Sequence, residues 1–100
     1  MSYTEAMVRK EALKELLQSP GQTLTTSQLI SKLSKKLSPT GKDADIATNR
    51  SDTYFSQKVR NLVSHRNQST GLQARDLADY DAATESWTLT KSGRRFAATL

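Results

Sequence analysis

Cysteine is absent from this sequence. Disulfides, thiol catalysis and cysteine-ligated zinc are therefore excluded, which fits an intracellular protein. Histidine occurs once, at His65, so a metal role would lack partner ligands, and surface or capping duty is expected of it. No apolar run approaches the ~20 residues that span a bilayer, and the N-terminus lacks the apolar stretch of a signal peptide. A soluble, cytoplasmic protein with no membrane partner is expected. Enzyme signatures are missing too. There is no phosphate-cradling glycine loop, no paired carboxylates on an apolar scaffold and no nucleophile with a recognisable base. Ser64 and His65 are neighbours, but on a helix their side chains point about 100° apart, so they form no dyad. The expectation is a non-enzyme without cofactor or metal.

What is present fits a globular domain. Hydrophobic residues make up 35% and charged residues 25% of the chain, and one hundred residues suit a single domain spanning 1–100 with one core. Whether those residues are a whole protein or the leading domain of a longer one is left open. The net charge is +5, and its location is more informative than its size. Basic and acidic residues cancel over 1–28 and again over 67–100. Over 29–66, eight basic residues face three acidic ones, so the whole excess lies in the middle third. A basic zone concentrated on a small domain is the footprint of a polyanion binder.

Periodicity predicts the elements. A first helix is expected from Ser2, with Glu5 completing a capping box, to about Gln18. Its stripe is Val8, Ala12, Leu13, Leu16 and Leu17. Arg9 falls inside that stripe and Met7 outside it, as if the first turn overhung the domain or met a partner. Ser19, Pro20 and Gly21 end it. Thr23–Thr25 reads as a short strand. Thr26 or Ser27 is expected to cap a second helix with the stripe Leu29, Ile30, Leu33 and Leu37. Residues 39–51 read as a polar loop. Ser51 or Asp52 then opens a third helix, whose Phe55, Val59, Leu62 and Val63 form a buried stripe. Opposite them lie Thr53, Gln57, Arg60, Asn61 and Ser64, with no acid among them. Asn67–Gly71 signals a turn, and the segments around Leu77–Tyr80 and Glu85–Leu89 predict a β-hairpin with Leu77, Trp87 and Leu89 inward. Tyr80 and Trp87 have rings that can stack bases, but core filling is the stronger expectation for Trp87. Thr90 caps a closing helix with Phe96 and Leu100 at i and i+4. Gly93 in its first turn costs about 1 kcal/mol relative to Ala.

Helix, short strand, two helices, hairpin and helix, in that order, resemble the winged helix-turn-helix family. TTSQLISKL leading to YFSQKVRNLVSH, and the ending SWTLTKSGRRFA, carry the likeness, which extends over nearly the whole chain. VRNLVSHR with the following hairpin is also similar to wing modules of bacterial restriction-type proteins. The resemblance implies an α+β fold of three helices, a β-hairpin wing and a short C-terminal helix. It also implies sequence-specific binding of double-stranded DNA, in a bacterial or phage transcriptional regulator. The third helix would enter the major groove. By position, Thr53, Gln57, Arg60, Asn61 and Ser64 would read bases. Arg can grip guanine and Asn or Gln adenine through two bonds each, while Ser serves either. Lys32, Lys35, Lys36, Lys42, Arg50 and Lys58 would contact phosphates. One such helix reads few base pairs, so a homodimer is expected, through Met7 and Arg9 or through the Phe96–Leu100 end. Two departures from the family stand out. About a dozen residues separate the second and third helices where a tight turn is usual. The hairpin tip carries Asp79, Asp81 and Glu85, which phosphate repels, so the tip is expected to lie away from DNA or to bind a protein. A protein-interaction module in a nucleic-acid-processing or defence assembly is therefore the competing expectation.

Overall fold

In a computed structural model, which describes residues 4–37 and 54–100, helix α1 spans Glu5–Gln18 and starts at Thr4. The Thr4 hydroxyl accepts from the Met7 amide at 3.2 Å. The cap is thus Thr4 and not Ser2, and no capping box forms, because the third helical residue from Thr4 is Met7, which has no carboxylate to reach back. Glu5 instead pairs with Arg9 at 3.6 Å and with His65 Nδ1 at 2.8 Å. Val8, Ala12, Leu13 and Leu16 are buried, as the stripe predicts. A tight turn through Pro20–Gln22, with Gly21 at φ 65°, turns the chain into strand β1 (Thr23–Thr25).

Helix α2 (Thr26–Leu37) follows without a linker. Its cap is Thr25, one residue before the expected position. Thr25 Oγ1 accepts from the Gln28 amide at 3.1 Å, and Gln28 Oε1 accepts from the Thr25 amide at 2.9 Å. This reciprocal pair is a capping box, so Gln28 decides which of the neighbouring hydroxyl residues becomes the cap. Thr26 has another task. Its amide and its hydroxyl both donate to the Glu85 carbonyl, at 2.9 and 3.3 Å, tying the start of α2 to the hairpin. Helix α3 spans Tyr54–Ser64 and buries Phe55, Val59 and Leu62. The expected polar loop at 39–51, with the cap at Ser51 or Asp52, lies outside the described residues.

The hairpin consists of β2 (Ala78–Asp81) and β3 (Ser86–Leu89). β1 adds to its free side, giving a three-stranded antiparallel sheet in the order β1-β3-β2. Leu24 and Tyr80 stand opposite Trp87 on the two sides of β3, and Ala78 stands opposite Leu89. With a side-chain period of two, these residues share the inner face. Thr23, Thr88 and Asp79 form a row on the outer face, where the two threonine hydroxyls meet at 2.9 Å. Trp87 is fully buried, and its indole N–H finds no acceptor among the described residues, so the core uses its volume and not its polar handle. Between α3 and β2 the chain makes successive turns that bury Leu72, a core residue that periodicity does not reveal. Gly71 permits this, since a Cβ there would lie 2.2 Å from the His65 carbonyl oxygen.

Helix α4 (Lys91–Ala97) is capped by Thr90 as expected, with its hydroxyl accepting from the Gly93 amide at 2.9 Å. Its buried face differs from the expected one. Gly93 and Ala97 face inward, while Phe96 and Leu100 remain 36% and 39% exposed. The helix lies so near the chain at Leu77 that a Cβ on Gly93 would fall 1.7 Å from the Leu77 carbonyl oxygen. Small residues must occupy that side, which turns the large ones outward. The protein is thus an α+β fold with four helices and a three-stranded antiparallel sheet among its described residues.

Candidate nucleic-acid interface

The site is built on α3. Packing of Phe55, Val59 and Leu62 against α1 and α2 fixes the rotation of the helix, and the opposite side carries Gln57, Arg60, Asn61 and Ser64. Arg60 and Ser64 are exposed, and Gln57 and Asn61 are half-buried. Four of the five expected base readers are thereby brought onto one ridge. The fifth, Thr53, lies outside the described residues.

Beside the ridge is an open groove of about 200 Å³ between the start of α2, the second half of α3 and the hairpin. Thr26, Ser27, Arg60, Ser64, Tyr80 and Glu85 contribute to its walls. Arg66 holds the hairpin to the end of α3. Its Nη1 donates to the Val63 carbonyl at 2.8 Å while its guanidinium lies 5.3 Å from the Tyr80 ring centroid. Tyr80 in turn packs on Trp87, with centroids 5.1 Å apart. Arg66 belongs to the basic zone of the sequence, but its structural role depends on a residue fourteen positions away, which no local pattern signals.

The expected phosphate contacts divide into groups. Lys32 and Lys35 are exposed on α2, and Lys58 is half-buried on α3. Lys42 and Arg50 lie outside the described residues. Lys36 is drawn towards α1, with Nζ 3.1 Å from Glu11 and 3.6 Å from Glu15. Burial raises the Glu11 carboxyl pKa, but Lys36 and Lys14 outweigh it and leave the group below its usual value. A phosphate would have to compete with these two carboxylates for Lys36. Lys32 meets no acid among the described residues.

The hairpin acids are exposed, and one has a local function. Asp81 Oδ1 accepts from the Ala83 amide at 2.9 Å, closing the turn from within. Glu85 adopts a φ of 52° and presents its carbonyl to Thr26. Asp79 has no such role among the described residues. His65, expected at the surface or on a cap, is half-buried and joins α3 to α1 through Glu5. No cluster of three metal-ligating side chains occurs among the described residues, and none of their helices is long and apolar enough to cross a membrane. Compared with family models, with curated proteins and with solved structures, the chain matches none.

Proposed function

We propose that residues 1–100 form a winged helix-turn-helix domain that binds double-stranded DNA, with α3 in the major groove, as a small bacterial or phage transcriptional regulator. The observation that carries this is the acid-free ridge of Gln57, Arg60, Asn61 and Ser64, aimed away from the core by the buried side of the same helix. Donor and acceptor chemistry of this kind matches base edges, and a helix is the element that fits the groove. The element order and the sheet order β1-β3-β2 agree with a winged helix, in which β2 and β3 are the wing. Lys32, Lys35 and Lys58 supply charge for the phosphate backbone beside the ridge.

A second reading is favoured by the exposed Asp79 and Glu85, which would face a protein partner instead of phosphate. Fluorescence titration of the protein into random duplex DNA at two salt concentrations separates the two. DNA binding predicts affinity that falls steeply with salt, by about 0.9 in the logarithmic slope for each phosphate neutralised. Absence of binding even at low salt leaves the protein-interaction reading in its place.

A further inference from the structure

A second groove lies on the far flank of α1, away from α2. At about 100° per residue, Glu11 and Glu15, which meet Lys36 of α2, project to one side of the buried stripe. Ala6, Lys10 and Leu13 project to the other. There they form a depression of about 200 Å³ with the turn segment after α3 and the end of α4. Its floor is apolar, made by Leu13, Leu72 and Phe96. Phe96 and Leu100, both at this groove, are two of the three large hydrophobic side chains that remain exposed among the described residues. Its rim is of one sign. Arg9, Lys10 and Arg75 all line it, and no acid does. Arg9 is partly balanced by Glu5, whereas Lys10 and Arg75 meet no acid among the described residues. Arg75 lies over the exposed Phe96 ring at 5.3 Å, so cation and apolar surface are presented together.

We propose that this groove docks an acidic, apolar-rich peptide segment of a partner protein. Charge complementarity selects the occupant. A second copy in two-fold pairing would set the same patch against itself, bringing Arg9, Lys10 and Arg75 of both copies together. An acidic segment relieves that field, and its apolar side chains cover Phe96 and Leu100. The depression is smaller than the roughly 300–1,000 Å³ that encloses a small-molecule ligand, and suits one or two anchoring side chains of a longer segment. The surface is separate from the α3 ridge, so docking here is independent of DNA binding and stands or falls without it.

The test uses a short fluorescein-labelled peptide in which Asp and Glu alternate with Leu and Phe, followed by anisotropy and by amide shifts in NMR. Expected are saturable binding, shifts centred on Leu72, Arg75 and Phe96, and no binding of the same peptide with Lys in place of its acids. Phe96→Asp and Arg75→Glu should each weaken binding about tenfold or more, with circular dichroism unchanged because both side chains are exposed. Shifts confined to α3, undiminished affinity in both variants, or no binding at all would overturn the proposal. Self-association abolished by Phe96→Asp would also overturn it, by giving the groove to a second copy.

Discussion

Helices α3 and α4 each place an aromatic residue where helical spacing predicts burial, yet only one of those rings is buried. Phe55 of α3 is 1% exposed, whereas Phe96 of α4 is 36% exposed. The difference lies in what each helix packs against. α3 rests on the side chains of two other helices, where a large ring fills space and the 3.6-residue period predicts the buried face. α4 rests on backbone at Leu77, where the approach is limited by atoms that cannot move aside. Close backbone contact selects small residues, so Gly93 and Ala97 turn inward and Phe96 turns out. Hydrophobic periodicity reports the first kind of contact and misreports the second.

The contrast can be broken by substitution. Phe55→Ala should cost about 3–5 kcal/mol in urea unfolding, through the cavity left in the core. Phe96→Ala should cost less than about 1 kcal/mol. Similar losses for the two would mean that the helices do not differ as described. Gly93→Ala gives the sharper test because two effects oppose in sign. Helix propensity alone predicts a gain of about 1 kcal/mol. The Cβ placed 1.7 Å from the Leu77 oxygen predicts instead a loss of about 3 kcal/mol or more, as α4 is forced off the sheet. A stabilised Gly93→Ala protein would contradict the packing of α4.

The same distinction governs how much of the molecule its sequence reveals. The order of elements, the Thr90 cap, the inward Trp87 and Leu89, and the two-sided α3 all follow from period and propensity. Each depends on residues a few positions apart. What escapes is set by distant partners. Leu72 becomes core through successive turns that Gly71 permits. Arg66 is fixed by Tyr80, and Lys36 is turned towards α1 by Glu11 and Glu15. At the candidate interface the ridge was legible, since it is the complement of a stripe, but the groove beside it needed the hairpin's position. The α2 cap lies between these cases. TTSQ contains three possible caps, and the rule that a cap pairs with Gln three residues later picks Thr25.

Smaller effects sharpen the picture. Thr25→Ala should destabilise by about 1 kcal/mol, and Ser27→Ala, on the exposed side of α2, by less than about 0.5 kcal/mol. Reversed magnitudes in denaturant unfolding would return the cap to the later position. The least effect is expected from Glu11, whose carboxyl titrates below its ordinary value near 4.5 because Lys36 and Lys14 outweigh burial. A depressed folded value means that the pairing stabilises above about pH 4.5 and is lost as the pH falls through the folded value. Glu11→Gln should therefore flatten the acid limb of the stability curve and change little under acidic conditions below it. An unaltered slope would show that the α1–α2 ion pairs contribute nothing.

Selection of bound sequences from a random duplex pool, run in parallel with the unaltered protein, Arg60→Ala and Lys35→Ala, tests the central claim most directly. If the α3 ridge reads bases, the unaltered protein yields a preferred sequence, Arg60→Ala loses preference at one position, and Lys35→Ala keeps the sequence with weaker binding throughout. Recovery of no preferred sequence, or the same uniform weakening from both substitutions, would contradict base reading by this helix.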